Sequence, residues 1–567
     1  MRQTRCLLCS LACPVAFDVQ TASGTTEILT AYVSSDPLTQ GRLCARGHYL
    51  AEMAAHPLRA ARPELRGRWE PQKPEHLFEA LAASLGQAGK NAAVVVDGNL
   101  PTEDVVAALL LARQVVGTDR ASIYLPESDA AMVKGIQPGT PILSLQDVAG
   151  CDVFLAVGDV FATHPVVSRH VLDARAARKA RLFGLDCLPN RVNGFAEQFL
   201  RVRPGGEAAA LAALCGLLGR DIPAGNTWAE GRSPAALASL AGLSESELRP
   251  VADALSKGKQ AAVLLDPVPG RMTNVTAAAS IASALCGAPG LRLMPMFCCG
   301  NAVGAARAAA SLGAAPLRTT LQAALDGRAE ILLSIGVDVL RALPREDASV
   351  LHDRVATLVV ASAFRNASTE HADVVIPLAM WFEQSGSVLD PAGTRLDLEP
   401  LAPAPAGALN VRELCARLAA GLGASPTRLE APTAAPFVGS PASAIEVEEA
   451  PSAGLRLVAR ADAVDFDTGS VSRTLSWPGY LEPVPDLYMN AADARSRGLA
   501  SRSSVLVRAN GREARAQVRI ANDLPSGVAE LSAAFAETRP LFRCRVDSAQ
   551  CAELAWSDAE VTLEGQP

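Results

Sequence analysis

Four cysteines near the amino terminus have the spacing of iron–sulfur ligands. In the pattern C-x2-C-x3-C-x30-C they are Cys6, Cys9, Cys13 and Cys44. One loop can present the first three, and the fourth follows a stretch that predicts a β-hairpin, with strands near 17–19 and 28–33. Thiolates spaced in this way can hold one iron–sulfur cluster, which would make the chain a redox protein.

Two other interpretations of these cysteines remain open. A zinc site of four cysteines also uses C-x2-C pairs, but it usually takes its ligands as two pairs. Here they come as a triple followed by a single cysteine. They could also be ordinary buried thiols, although the other nine of the 13 cysteines are scattered along the rest of the chain.

Composition excludes several classes of function. The 567 residues suggest three to five domains at about 100–200 residues each, and 49% hydrophobic residues provide ample core. A net charge of −7 and 4% aromatics argue against nucleic-acid binding. No apolar run of about 18 residues predicts a membrane span. The odd number of cysteines without a pairing pattern favours a reducing cytoplasm, and the first residues do not have the pattern of a signal peptide.

Strands and helices alternate over most of the chain, which predicts an α/β fold with parallel sheets. Apolar strand segments lie at 92–96, 153–157, 331–335, 358–360 and 374–377. After a Pro/Ala/Ser-rich stretch come short strands at 455–458, 504–508, 514–520 and 528–531, which favour a β-barrel. We therefore predict a cluster domain at 1–60, α/β lobes at 61–425, a linker at 426–454 and a barrel at 455–567.

Two strand–glycine units resemble one another. The strand at 153–157 ends at Gly158, and the strand at 331–335 ends at Gly336. They suggest two pseudo-symmetric α/β lobes. Because ligands bind at the carboxyl ends of strands in open α/β sheets, both glycines mark candidate cofactor-binding edges. The alternative is that each glycine only makes a tight turn.

Several motifs, in this order, resemble the molybdopterin oxidoreductase superfamily, which includes formate dehydrogenases, nitrate reductases and the large iron–sulfur subunit of complex I. The resemblance covers nearly the whole chain. Its motifs are GRLCARG at 41–47, RPGGE at 203–207, GNAVGA at 300–305, ADVVIP at 372–377, EQSG at 383–386, GTR at 393–395, FDTG at 466–469 and PDLYMNAADA at 485–494.

The resemblance implies a 4Fe-4S cluster, held by the four cysteines, close to a pterin that carries molybdenum or tungsten. Arg46 would lie between the cluster and the pterin, where a permanently charged guanidinium can raise the cluster potential. The alternative is that Arg46 is a surface charge. Asp186 matches the acidic residue with which the family meets a guanosine.

The sequence departs from the family at the metal. The stretch that would supply a metal ligand contains no cysteine, and only Ser128 or Asp129 could serve there as a hard ligand. A similar Ser-Asp pair occurs in the metal-free subunit of complex I. The alternative for both residues is a helix N-cap, which serine and aspartate favour.

The nucleotide turns depart from the family as well. The Asn-Pro pair that the family has at each turn is replaced by Val160-Phe161 and by Asp338-Val339. Asp338 brings negative charge towards the expected position of a pyrophosphate. Molybdopterin guanine dinucleotide therefore remains possible but doubtful.

Four further groups have weaker chemical meaning. His164 and His170 are expected to start a helix or pack rather than move protons. Cys298 and Cys299 are expected to be core thiols. Cys544 and Cys551, one heptad apart, suggest a half-buried face of a helix at 540–556. No catalytic residue is identified.

Three hypotheses follow. The first is an iron–sulfur electron-transfer and scaffold subunit of a multi-subunit redox complex, without a working molybdenum or tungsten centre. Its partners would be other iron–sulfur or flavin proteins. The second is a catalytic molybdopterin enzyme of the formate dehydrogenase type. The third is a non-redox interaction subunit whose cluster is structural.

Overall fold

The computed structural model describes residues 2–22, 25–33, 36, 38–70, 76–343, 345–424, 437, 439–440, 442–447, 454–466, 469–546 and 552–564. Most of the linker predicted at 426–454 lies outside these residues. The chain divides into two compact units, each made of two segments. The first unit is Met1–Leu125 with Cys299–Pro436, and the second is Pro126–Cys298 with Phe437–Pro567.

The first unit begins with a small antiparallel sheet. Its strands are Arg2–Arg5, Pro14–Ala22 and Thr25–Val33. The second and third strands pair as the predicted hairpin, which is thereby confirmed. The helix Ala45–Ala54 follows directly after Cys44.

A six-stranded sheet forms the centre of the first unit. In spatial order its strands are Glu64–Leu65, Val374–Pro377, Thr357–Ser362, Ile331–Ile335, Ala92–Asp97 and Ala121–Tyr124. All pairs are parallel except that of the short edge strand Glu64–Leu65. The central strands are buried along almost their whole length, as expected where helices cover both faces of a parallel sheet. A separate antiparallel pair is Gly386–Leu389 with Arg395–Leu398.

Helices connect the parallel strands of the first unit. They are Leu77–Ala88, Thr102–Leu110, Ala302–Leu312, Leu317–Leu325, Val339–Ala342, Arg345–Arg354, Ala367–His371 and Val411–Gly421. The helix Thr102–Leu110 continues into a π-helical turn, Leu111–Val116.

The second unit contains a five-stranded, fully parallel sheet. In spatial order its strands are Leu291–Pro295, Ala261–Leu265, Val153–Val157, Arg181–Asp186 and Gln198–Arg201. Its helices are Glu127–Gly135, Leu145–Val148, Val160–Thr163, Pro165–Arg178, Glu207–Leu217, Pro234–Leu240, Glu245–Lys257 and Val275–Leu285. The prediction of parallel sheets is thus confirmed in both units.

The second unit also contains a closed six-stranded barrel, which confirms the predicted barrel. Its strands, in order around the barrel, are Leu455–Ala459, Val528–Leu531, Asp486–Met489, Arg512–Ile520, Ser504–Ala509 and Ser557–Leu563. Along Ser504–Ala509 every second residue is buried, as expected for a strand with one face in a core. Two short helices, Ser476–Leu481 and Ala491–Ser496, lie between its strands in the sequence.

The helix predicted at 540–556 is wrong. This segment forms two antiparallel strands, Arg543–Val546 and Ala552–Ala555. The two-residue period of a strand places Arg543 and Arg545 on one face, where both make salt bridges with Glu446. Cys544 is exposed, and Cys551 lies outside the described residues.

Among the helices in the described part of the chain, none is both long and apolar enough to span a bilayer.

Candidate functional site

The first three predicted ligands lie in the loop that joins the first two strands. Cys6, Cys9 and Cys13 are all buried. The backbone N–H of Cys6 donates to the carbonyl of Cys13 at 2.9 Å, and Ala12 adopts a left-handed conformation with φ +43°. Cys44 is half-buried at the N-cap of the helix Ala45–Ala54.

Electrostatics show that the four sulfur atoms share one neighbourhood. Burial raises the pKa of Cys6 well above its ordinary value, and Cys44 and Cys9 add to the rise. Burial also raises the pKa of Cys13, with further contributions from Cys9, Cys44 and Cys6. Thiols so crowded lose their protons readily only when a cation or a metal cluster compensates the charge. The four side chains therefore fit a cluster or a tetrahedral metal ion.

Arg46 lies in the first turn of the helix Ala45–Ala54 and is only 5% exposed. Its positive charge lowers the pKa of Cys6. The alternative that Arg46 is a surface charge is therefore wrong. A buried guanidinium beside thiolates is the arrangement that would tune a cluster.

The cysteine loop packs on the α/β part of its own unit. The indole N–H of Trp381 donates to the carbonyl of Arg5 at 3.0 Å, and Arg2 donates to the carbonyl of Leu401 at 2.8 Å. A Cβ added to Gly300 would lie 2.6 Å from the carbonyl oxygen of Leu7. Gly300 is therefore required by the close approach of the loop.

In the second unit, the backbone at Asp266 packs closely against Gly158, at the end of the strand Val153–Val157. Gly158 has φ +90°, and a Cβ there would lie 2.1 Å from the carbonyl oxygen of Asp266. The next residue, Asp159, is buried, and burial raises the pKa of its carboxyl group. This turn places a carboxylate at the end of the strand Val153–Val157.

Asp186 is engaged by a cation from its own unit. The Arg271 guanidinium donates Nε–H to one carboxylate oxygen of Asp186 at 3.1 Å, and its Nη2 lies 3.0 Å from the other. Its Nη1 also donates to Glu530 of the barrel at 2.8 Å. The side chains of Arg271 and Asp186 are each 2% exposed.

Asp186 has further partners. It accepts from the backbone N–H of Cys187 at 2.7 Å and from the amide of Asn190 at 2.8 Å. The carboxylate that the resemblance assigns to a guanosine is thus surrounded by donors of the chain itself.

The edge at Gly336 in the first unit follows the same pattern. Gly336 has φ +79°, and a Cβ there would lie 2.8 Å from the Cβ of Asp97. Asp338 accepts hydrogen bonds from the backbone N–H and the hydroxyl of Ser368, at 3.0 and 2.6 Å. Asp338 therefore fixes a neighbouring loop, and its negative charge does not fit a pyrophosphate.

Ser128 and Asp129 lie in the first turn of the helix Glu127–Gly135, whose N-cap is Pro126. The N-cap interpretation of both residues is wrong. Asp129 is fully buried and accepts from the backbone N–H of Cys298 at 3.0 Å. The buried hydroxyl of Ser128 has no hydrogen-bond partner among the described residues.

The two histidines and the vicinal cysteines have the following positions in the second unit and at its boundary. His164 is the N-cap residue of Pro165–Arg178, as predicted, and contacts Thr163 at 2.9 Å and the carbonyl of Phe297 at 3.1 Å. His170 is buried in the same helix. Cys299 is a buried thiol, as predicted, but Cys298 is half-exposed, so the core assignment of Cys298 is wrong.

Three important residues escaped the sequence analysis. They are Glu207, Arg271 and Glu530. Arg271 lies in the loop after the strand Ala261–Leu265, which the sequence analysis did not predict. This strand pairs with Val153–Val157, so its loop lies at the same sheet edge as Gly158. Glu207 is the last residue of the RPGGE motif, but nothing in the sequence marks it as buried without a partner.

Comparison with known proteins gives partial matches. No profile of a known protein family matches the chain. The chain is 24% identical over 230 residues to a nitrate reductase of Shewanella frigidimarina, covering 38% of this chain and 24% of that protein. It is 31% identical over 185 residues to a subunit of the NADH-quinone oxidoreductase of Rhizobium meliloti, covering 31% of this chain and 21% of that protein.

A longer match extends over more of the chain. It is 23% identical over 460 residues to a nitrate reductase of Symbiobacterium thermophilum, covering 68% of this chain and 61% of the relative. The matches thus span between about a fifth and three fifths of the length of these relatives.

The fold is similar to that of acetylene hydratase from Pelobacter acetylenicus, with a TM-score of 0.75. That comparison covers 99% of this chain and 100% of the other at 14% sequence identity. Parallel α/β sheets followed by a closed barrel define the scaffold class. Together with the sequence relatives, this scaffold supports the similarity of the chain to the molybdopterin oxidoreductase superfamily.

Proposed function

We propose that the chain is an iron–sulfur electron-transfer and scaffold subunit of a multi-subunit redox complex, working in the cytoplasm. The observation that carries this proposal is the common neighbourhood of Cys6, Cys9, Cys13 and Cys44, with the buried Arg46 beside it. These cysteines would hold a 4Fe-4S cluster, which when bound accepts and passes single electrons. Arg46 would stabilise the more negative, reduced state.

The two strand-end edges support a degenerate dinucleotide site. Asp186 is bonded to Arg271, and Asp338 is bonded to Ser368. Asp159 adds a buried carboxylate to the first of these edges. At each edge, a carboxylate is engaged by side chains of its own unit, and the acidic Asp159 disfavours an anionic pyrophosphate at the first of them. The residues do not fit molybdopterin guanine dinucleotide.

A second candidate is a catalytic molybdopterin oxidoreductase of the formate dehydrogenase type. The buried, unpartnered hydroxyl of Ser128 favours it, because an oxygen ligand suits a hard metal. A third is a non-redox interaction subunit in which the cluster only holds the cysteine loop in place.

The proposed partners are other iron–sulfur or flavin subunits. One relative is named as a subunit of NADH-quinone oxidoreductase, and its name supports assembly into a larger complex. A chain with one cluster also needs a donor and an acceptor for its electrons.

Metal analysis of the anaerobically purified chain tests the proposal. We expect about four iron atoms per chain and a paramagnetic signal upon reduction, without stoichiometric molybdenum or tungsten. Cys9→Ser should remove most of the iron. Cys415→Ser is the matched control, because Cys415 is a fully buried thiol of the same unit whose pKa burial raises.

Stoichiometric molybdenum or tungsten with extractable pterin would favour the catalytic candidate instead. Zinc in place of iron would contradict the cluster. Unchanged electron flux through the native complex with Cys9→Ser would favour the structural candidate.

A further inference from the structure

A second group of ligating side chains lies in the interior of the second unit. Arg271 makes salt bridges with Asp186 and Glu530, and the buried carboxyl groups of Asp159 and Glu207 lie near the same guanidinium. Arg191 adds positive charge at Asp159 and Arg460 adds it at Glu530, whereas Arg271 is the one cation that acts on Glu207 among the described residues. Charges of one sign at this density in an interior require further protons or a further cation.

Glu207 is the residue that this arrangement leaves unsatisfied. It is the first residue of the helix Glu207–Leu217 and is 0% exposed. Neither of its carboxylate oxygens has a hydrogen-bond partner in another described residue, although its own backbone N–H partly stabilises the charge. A buried carboxylate without a donor is costly, because it loses its hydration without replacement. Burial, followed by the charge of Asp186, raises its pKa well above the ordinary value.

The side chain of Glu207 points at two other potential metal ligands. One carboxylate oxygen of Asp186, the Sγ of Cys187 and one carboxylate oxygen of Glu207 all lie within 4.8 Å of one another. All three residues are buried. The Sγ of Cys187 donates to the carbonyl oxygen of Arg271 at 3.9 Å.

We propose that Asp186, Cys187 and Glu207 bind one divalent transition-metal ion, separate from the cysteine cluster of the first unit. One thiolate with two carboxylates is a borderline donor set, which suits Zn²⁺ or Fe²⁺ better than Ca²⁺ or Mg²⁺. The ion supplies the positive charge that Glu207 lacks. It also allows Cys187 to act as a thiolate despite its burial.

The salt bridge to Arg271 is compatible with this ion. Five donors contact the carboxylate of Asp186: two N–H groups of Arg271, the amide of Asn190 and the backbone N–H groups of Cys187 and Leu188. An ionised carboxylate offers about four lone-pair positions, so the ion takes the place of the long contact with Leu188, at 3.4 Å, and of the Asn190 amide, while the guanidinium keeps its contacts. The Asn190 amide also donates to the carbonyl of Gly158 at 3.1 Å and keeps that partner. Arg271 then orients Asp186 in the way that outer partners orient metal ligands.

Cobalt is the probe that tests the site. The full-length, cluster-loaded chain is freed of loosely bound metal with a chelator and then given Co²⁺ alone. We expect about one Co²⁺ per chain and a thiolate-to-cobalt charge-transfer band in the near ultraviolet. Cys187→Ser should abolish the band, and Glu207→Gln should weaken Co²⁺ binding at least about tenfold.

Cys215→Ser is the matched control, because Cys215 is a buried thiol of the same unit that is not part of the group. It should leave the band and the stoichiometry unchanged. Circular dichroism and iron content identify any variant that fails to fold. If a variant does not fold, the Co²⁺ stoichiometry and the charge-transfer band of the wild-type chain test the proposal.

A wild-type chain that shows no band would overturn the proposal, as would a band that survives Cys187→Ser. Wild-type protein without bound Co²⁺, together with a Glu207→Gln variant that resists urea better than wild type, would show that a proton neutralises Glu207 instead. The iron content of the same samples reports on the cysteine cluster. Failure of this site is therefore distinguishable from failure of the electron-transfer function.

Discussion

At the scale of single residues, Asp104 makes the stability of the first unit depend on pH. It lies in the helix Thr102–Leu110, where Arg412 donates to one of its oxygens at 2.8 Å and the side chain of Gln384 also stabilises the charged form. Burial raises its pKa from 3.8 to about 6, and the charge of Arg412 opposes the rise. The folded chain therefore keeps this proton to a higher pH than the unfolded chain does.

The sign of the effect follows from proton linkage. Between pH 3.8 and about 6 the folded state binds more protons at Asp104, so its contribution to the free energy of unfolding falls as the pH rises. The whole change amounts to about 3 kcal/mol, since each pKa unit corresponds to about 1.4 kcal/mol.

Urea denaturation at several pH values across this interval measures the effect. Asp104→Asn keeps the acceptor for Arg412 but cannot ionise, so its profile should lack this component. If wild type and Asp104→Asn change in parallel with pH, Asp104 does not carry the effect.

Residues differ in how far the sequence reveals them. The local spacing of Cys6, Cys9 and Cys13 was enough to predict that one loop presents all three, and the structure places them in one loop. Their role as cluster ligands stays a prediction. Arg271 was not identifiable, because its role depends on Asp186, which is 85 residues away, and on Glu530, which is 259 residues away. A single sequence does not show which arginine reaches a given carboxylate across such distances.

At the scale of elements, Arg271 connects three parts of the second unit. It lies after the strand Ala261–Leu265. Its guanidinium contacts Asp186, the last residue of the strand Arg181–Asp186, and Glu530 in the barrel strand Val528–Leu531. Its salt bridges are almost completely buried. Loss of the guanidinium leaves two carboxylates in the interior without their counter-ion.

Arg271→Met should therefore lower the free energy of unfolding by about 3–5 kcal/mol, the usual cost of breaking a buried ion pair from one side. Arg292→Met is the control, because Arg292 pairs with Asp147 at the surface, where side-chain exposures are 28% and 51%. A surface pair contributes about 1 kcal/mol or less. Urea denaturation of both variants measures the loss in the free energy of unfolding. Equal losses for Arg271→Met and Arg292→Met would mean that the salt bridges of Arg271 do not stabilise the second unit.

Strands were predictable where their residues left no alternative. The apolar, valine-containing runs at 92–96, 153–157 and 374–377 were recognised because valine favours strands and turn signals bound these runs. Ala261–Leu265 and Leu291–Pro295 were missed, since short runs rich in alanine, leucine and methionine suit a helix as well. The helix predicted at 540–556 rested on the seven-residue spacing of two cysteines. Two residues do not establish a helical period, and the segment forms two strands.

At the scale of the whole molecule, the fold was predictable and its chemistry only partly so. The order of motifs and the switch from α/β to β segments were enough to predict parallel sheets and a closed barrel. The same scaffold carries different reactions, however, and function depends on the site that it holds. The salt bridges at Asp186 and the hydrogen bonds at Asp338 are details that a motif does not encode.

These details predict the redox behaviour of the whole chain. With carboxylates at both strand-end edges engaged by the chain itself, we expect the cysteine cluster to be the site that stores electrons. Anaerobic reductive titration should then take up about one electron per chain. A reduced chain should transfer that electron to an artificial acceptor without reducing nitrate, and an oxidised chain should not oxidise formate.

The Cys9→Ser variant separates the cluster from any other electron store, because it should lose the uptake while the Cys415→Ser control keeps it. Uptake of two or more electrons that persists in Cys9→Ser would indicate a second redox centre. Turnover of nitrate or formate would contradict the proposed relay function and favour the catalytic candidate.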